Sequence, residues 1–219
     1  MDVYPNQVHA IMGQPNSGKS AVVHAIAGHP FLDVADGNIT WYGEDIGEMP
    51  ANERTELGIY SCFQTIPEFE SMTNFELFVN IVHDSIDSME EAMEKYAMCC
   101  ELLGLPSDHG IRSASIVGMT DSQQKRNELI YMMFSNPQLV VLDEIDTNMT
   151  DADIELVGNT IKQFISKHNR SCVVVSNNKK FLDILQPTHV HVMVDGVITQ
   201  SGDADLYKRI QDDDNSEAL

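Results

Sequence analysis

Val8-His9-Ala10-Ile11-Met12 runs directly into Gly13-Gln14-Pro15-Asn16-Ser17-Gly18-Lys19-Ser20, and this stretch decides the fold. A short apolar run stops at a glycine, a loop of small residues follows, and a helical pattern begins over Ala21–Ala27. Strand, loop and helix in that order open a nucleotide-binding βα unit. The octapeptide matches G-x-x-x-x-G-K-[ST] in full. Backbone N–H groups of such a loop, together with the helix N-terminus, surround phosphates. Lys19 is placed to reach the β- and γ-phosphates of a nucleotide, and the Ser20 hydroxyl to bind Mg2+. Placement between a strand and a helix separates this reading from an ordinary glycine turn.

A second apolar run, Gln138-Leu139-Val140-Val141-Leu142, leads straight into Asp143-Glu144. A carboxylate at the end of a buried strand is costly unless it holds an ion or hydrogen bonds. With a phosphate loop in the same chain, Asp143 is expected to hold Mg2+ through water. Glu144 is expected to orient the attacking water as general base. The competing reading makes the pair caps of the following loop.

Outward from these two strands, Gly37–Gly43 reads as an exposed strand bounded by glycines, and Gly58–Phe63 as another apolar run ending at Gln64. Phe75, Phe78, Val79 and Val82 repeat at helical spacing, and Met89–Leu103 continues as a helix stopped by Gly104 and Pro106. Further helices are expected over about 121–134 and 151–167, with a strand at Cys172–Ser176 and a short helix reaching Leu185. His189–Val194 and Val197–Gln200 flank Asp195-Gly196, a hairpin turn. The tail Asp212–Glu217 is a charge run expected to be frayed and solvated. The pattern implies an α/β class with one mainly parallel sheet. A RecA-like core is expected over about 1–64 and 136–211, an inserted helical subdomain over about 65–135, and an acidic tail over 212–219, all within a single domain.

Composition narrows the function. The 219 residues are 42% hydrophobic, enough for a packed core, and carry a formal charge of −21. Such acidity, with no Lys/Arg stripe, argues against nucleic acid as a partner. No run approaches the roughly 20 apolar residues of a membrane span. Met1–Gln7 contains no basic cluster, so a cytoplasmic protein without direct membrane insertion is expected. Cys62, Cys99, Cys100 and Cys172 form no C-x-x-C pair and read as reduced thiols packed as small hydrophobes. His189 and His191 alternate on a strand and read as one face of a sheet.

Taken with Phe63-Gln64, Gly118, Gln124-Lys125-Arg126-Asn127 and Pro187-Thr188-His189-Val190-His191-Val192, the two motifs fall in the order of an ABC ATPase. From Gln7 to about Lys208 the wording resembles the SufC-type ATPases of the SUF iron–sulfur assembly system. The resemblance implies ATP and Mg2+ as cofactors and binding of the nucleotide over Gly13–Ala21. It also implies Gln64 as a Mg2+ sensor, and scaffold partners like SufB and SufD docking on the helical insert.

Departures from the family's pattern bear on turnover. The resemblance implies further strands that hold adenine, whereas here the phosphate-loop strand begins at Val8. Asn16 replaces a loop glycine and can accept left-handed geometry. Pro15 removes an N–H donor, and Ala21 replaces a threonine. The Ser-Gly-Gly signature appears as Thr120-Asp121-Ser122, which with Gln123 still reads as a capping box. By resemblance this tip faces the γ-phosphate bound by a second subunit. A carboxylate about 5 Å from it, at an effective dielectric near 20, costs roughly 3 kcal/mol. Thr150 replaces the aspartate after the second motif, and Asn177 the switch histidine. Features that maintain the fold survive while features that act across subunits do not. The expectation is an ATPase with weak hydrolysis, monomeric in isolation, for which ATP-dependent dimerisation is doubtful. The alternatives are a pseudo-ATPase that binds or regulates, the nucleotide-binding subunit of a transporter, and a DNA-repair ABC ATPase. The last is disfavoured by the charge and by the lack of a coiled-coil insertion.

Overall fold

The computed structural model describes residues 1–62, 69–82, 86–111, 113–114, 119–167 and 169–217. Its apolar runs become β1 (Val8–Met12), β4 (Ile59–Cys62), β7 (Leu139–Asp143), β8 (Ser171–Val175) and β9 (His189–Val194). These pair in parallel, and β10 (Val197–Asp203) closes one edge antiparallel to β9, giving the order β10-β9-β1-β8-β7-β4. Every residue of β1, β7 and β8 is buried. That explains their continuous apolar composition, since helices cover both faces of a parallel sheet.

On one face Ile11, Val141, Val173 and Val175 pack with Val23 of α1 (Lys19–Ala27) and Ile46. On the other, Ala10, Val140, Leu142 and Val174 pack under α5 (Asp121–Ser135), α6 (Asp151–Ile165) and α7 (Lys179–Leu185). The C-terminal ends of β1, β7 and β8 therefore open side by side at one edge of the sheet, where α/β folds bind ligands.

Between β4 and β7 lie α3 (Asn74–Val82), α4 (Met89–Leu102) and α5. Their interior holds an aromatic cluster, Phe75, Phe78, Tyr96 and Phe134. Beside it sits a buried polar knot. Asn127 donates to Asn74 Oδ1 at 3.0 Å, its own Oδ1 lies 2.8 Å from His109 Nε2, and Asn74 donates to the His109 carbonyl. A buried network this fully satisfied fixes one arrangement of the helices. Arg126 donates to the carbonyls of Leu103 and Gly104 and so ties off the C-terminus of α4.

Two readings of the sequence are corrected, and two features it did not bring out are added. Gly37–Gly43 is not one strand. β2 (Thr40–Trp41) and β3 (Glu44–Asp45) form a tight hairpin turning at Tyr42 and Gly43, both at positive φ (49° and 90°). The insert is not purely helical, because β5 (Phe69–Thr73) pairs antiparallel with β6 (Ser113–Ala114). A short helix, α2 (Ala51–Glu56), went unrecognised. Its Arg54 is 2% exposed and donates to the carbonyls of Ala25, Ile26, Gly47 and Met49, a charge spent inside the protein. The frayed tail is instead the last part of α8 (Ala204–Glu217), helical through Glu217. All four cysteines are free and buried.

Candidate functional site

β1 runs into Gly13, whose backbone must pass close to the neighbouring strand. A Cβ there would lie 2.2 Å from the Met193 carbonyl oxygen, so no larger residue fits. Asn16 adopts φ 66°, the left-handed geometry anticipated for it. Gly18, at φ 95°, begins α1 with no side-chain cap, which leaves the helix's first N–H groups facing the loop. Ser17 Oγ is buried with no hydrogen-bond partner among the described residues. The Ser17 carbonyl accepts from Gly196 N at 2.9 Å, so the β9–β10 turn braces the loop from behind.

Lys19, 4% exposed, curls over this loop and donates to the carbonyls of Gly13 (2.9 Å) and Gln14 (3.0 Å). Its Nζ is also 3.8 Å from Glu144 Oε1. Ser20 donates to Asp143 Oδ1 at 3.0 Å, joining α1 to the end of β7. Asp143 is 1% exposed. Burial pushes its carboxyl above the usual range, opposed by the Ser20 hydrogen bond and by His24. A serine hydroxyl beside a buried carboxylate is the hard-oxygen set that Mg2+ prefers. Glu144 sits at φ 46°, an uncommon conformation for this residue, and its N–H donates to the Val175 carbonyl at 2.9 Å. Strain of this kind collects at functional sites.

Asn177 reaches the same place from the end of β8. Its Nδ2 donates to the Gly13 carbonyl at 2.9 Å, and its Oδ1 accepts from Gly13 N at 3.2 Å. Two residues after Glu144, the buried Asp146 accepts from Ser176 Oγ at 2.9 Å and so links the loops that carry Glu144 and Asn177.

Thr120, Asp121, Ser122 and Gln123 stand elsewhere, as the first turn of α5. Thr120 and Gln123 form the reciprocal capping box. Thr150 caps α6 through Asp153 N. Ala21 N donates to the Gly18 carbonyl within the first turn of α1. Phe63, Gln64 and Gly118 lie outside the described residues. Sequence reasoning brought out the loop, the acidic pair and Asn177. It missed His24, Asp146 and Asn148, none of which belongs to a recognisable motif, and it read Gly196 only as part of a hairpin turn.

A phosphate loop at the end of one central parallel strand, facing an acidic pair at the end of another, defines a P-loop nucleotide-binding protein. A family model described as ABC transporter matches residues 1–147, and the chain belongs to that family, an ATP-binding ATPase of the ABC type. It is 30% identical over 234 residues to the iron–sulfur cluster assembly protein SufC of Plasmodium falciparum, covering 100% of this chain and 65% of that protein. It is 30% identical over 223 residues to the probable ATP-dependent transporter SufC of Escherichia coli, covering 97% of this chain and 88% of that one. Among solved structures, the ADP form of MJ1267, an ATP-binding cassette of an ABC transporter, is 24% identical with a TM-score of 0.72. It covers 93% of this chain and 82% of that chain. A dimeric post-hydrolysis state of the cassette MJ0796, bound to ADP and Pi, is 15% identical with a TM-score of 0.77 and covers 93% and 88%. These two establish the fold. Among the described residues, no helix is long and apolar enough to cross a membrane.

Proposed function

We propose that the chain binds Mg2+-ATP over Gly13–Ala21, hydrolyses it weakly, and serves iron–sulfur cluster assembly in the cytoplasm with scaffold proteins like SufB and SufD. The observation that carries the nucleotide site is Lys19. Its ammonium group lies on the loop carbonyls within 3.8 Å of Glu144. A cation held there is poised for terminal phosphates, which offer it stronger hydrogen bonds than neutral carbonyls. Glu144 orients a water for in-line attack on the γ-phosphate, and Lys19 stabilises the charge that develops. Ser20, Asp143 and Gln64 would hold Mg2+, which when bound would supply positive charge to offset that of the phosphates.

Weak turnover follows from Asp121, Thr150 and Asn177. Asn177 is neutral and engaged with Gly13, so it supplies no positive charge to a transition state. The scaffold partners would dock on the insert over about 65–135, while the core over about 1–64 and 136–211 carries the nucleotide. Calorimetric titration of ATP with and without Mg2+, followed by a turnover assay with and without a scaffold partner, tests the reading. Lys19→Ala should abolish Mg2+-dependent affinity, and unchanged affinity would mean that the loop does not bind phosphate. The second reading, a module that binds ATP without turning it over, is favoured by Asp121, whose carboxylate is engaged within its own chain by Asn148. Absence of turnover with the scaffold present would establish it.

A further inference from the structure

On α1, Ser20 and His24 are four residues apart and therefore share one face of the helix. Both point at the same carboxylate. Ser20 Oγ donates to Asp143 Oδ1 at 3.0 Å, and His24 Nε2 lies 3.7 Å from Asp143 Oδ2. Two successive turns of the helix thus bracket both oxygens of a group that is 1% exposed. The His24 ring is held in plane by His29, just beyond the end of α1, with centroids 4.6 Å apart and planes 17° from parallel.

We propose that His24 is a positioning residue for the nucleotide-bound cation, fixing the orientation of Asp143 through its Nε2–H. The inference rests on the Mg2+-ATP reading of this site and extends it to a residue outside both motifs. A hydroxyl carries one hydrogen and two lone pairs, so Ser20 can offer a lone pair to the cation while still donating to Asp143 Oδ1. That leaves Oδ2, and a carboxylate buried this deeply needs a group on its second oxygen to stay oriented. His24 Nε2, 3.7 Å from Oδ2, is the group that faces it. Groups that orient a metal-binding residue in this way are typically worth about ten- to a hundredfold in metal affinity.

Two substitutions separate this role from a structural one. His24→Phe keeps the ring and its stacking on His29 but has no N–H. His24→Gln loses the ring yet carries a side-chain N–H to nearly the position of Nε2. A non-hydrolysable ATP analogue is titrated calorimetrically without metal and across a series of MgCl2 concentrations. For His24→Phe, metal-free affinity should stay within about twofold of the natural chain, while the MgCl2 concentration at the midpoint of the metal-dependent gain rises about tenfold. His24→Gln should return that midpoint to within about threefold. An unchanged midpoint in His24→Phe, or a normal Phe variant beside an impaired Gln variant, overturns the proposal and leaves His24 as a packing residue. No analogue binding by the natural chain, with or without metal, overturns the nucleotide site and this inference with it.

Discussion

Asn148 Nδ2 donates to Asp121 Oδ2 at 2.9 Å, which ties the tip of α5 to the loop that follows Glu144. Nearby, Arg126 lies 3.6 Å from Asp153 in the first turn of α6. The helix end that the family resemblance assigns to a second subunit's nucleotide is thus bonded within its own chain, and it presents a carboxylate.

The chain is accordingly expected to stay monomeric in saturating ATP. Multi-angle light scattering should give one monomer mass with and without nucleotide, for the natural chain and for Glu144→Gln, in which hydrolysis cannot hide a closed dimer. An ATP-dependent dimer in either would contradict the expectation.

Replacing the tip residues together with Asn177 is expected to raise turnover. Asp121→Gly with Ser122→Gly removes the like charge and lets backbone N–H groups approach a phosphate, and Asn177→His returns a side chain able to contact it. Roughly 3 kcal/mol of repulsion corresponds to about two orders of magnitude, so a gain of about tenfold or more in steady-state ATP hydrolysis is expected. The same variant should gain ATP-dependent dimerisation. Adding Glu144→Gln must erase the gain, which controls for a contaminating ATPase. A folded, ATP-binding triple variant that turns over no faster would move the defect to Ala21 or to the holding of adenine.

Stability should fall on mild acidification because of a histidine stack across the sheet. His9 is 1% exposed, stacks on His189 with centroids 4.4 Å apart, and lies 3.0 Å from His191 and 2.8 Å from Gln7. Burial, then His189 and His191, push its pKa down to about 4, and burial also lowers His191. A base whose folded pKa is depressed binds its proton more readily when unfolded. Its stabilisation is complete above about pH 6.5 and is lost as the pH falls toward 4. His9 alone is expected to account for about 2 kcal/mol between pH 7 and pH 5. Urea denaturation at the two pH values should show this loss, and His9→Phe should show a clearly smaller one. An equal loss in both would assign the effect to other groups.

Asp143 should reveal a conflict between stability and function. Its raised pKa means that the ionised, desolvated carboxylate weighs against folding of the nucleotide-free chain. Asp143→Asn keeps an oxygen for Ser20 and removes the charge. It is expected to stabilise the free chain by about 1 kcal/mol, a few degrees in Tm. The same variant should lose Mg2+-dependent ATP binding. A lower Tm in thermal denaturation would mean that Ser20 and His24 more than offset the burial.

The phosphate loop and the acidic pair were legible because each combines a local pattern with fixed residue types. Val8–Met12 and Leu139–Leu142 read as buried strands, and the glycines mark where the backbone must turn. The β2–β3 hairpin was illegible because its turn is Tyr42-Gly43, whereas Asn-Gly or Asp-Gly is the usual signal. Arg54 reads as a surface charge on a six-residue helix, since nothing local shows that the end of α1 will supply its acceptors. His189 and His191 were rightly placed on one face, but the meeting with His9 depends on the parallel register His9↔His189, set between segments far apart in sequence. The meetings of His24 with Asp143 and of Asn148 with Asp121 are of the same long-range kind.

The brace behind the phosphate loop offers an experimental handle. Gly196 donates to the Ser17 carbonyl, while Val194 and Val197 beside the turn are about half exposed, at 47% and 61%. Solvent thus reaches the far side of the nucleotide cradle through a two-residue bend. An environment-sensitive fluorophore attached at Asp195 would sit outside the ATP pocket, one hydrogen bond away from the backbone that must adjust when phosphate enters. By the same connection, a peptide tag or protein inserted at this bend would tug on the cradle, making it a poor site for a fusion even though it looks like an idle surface loop.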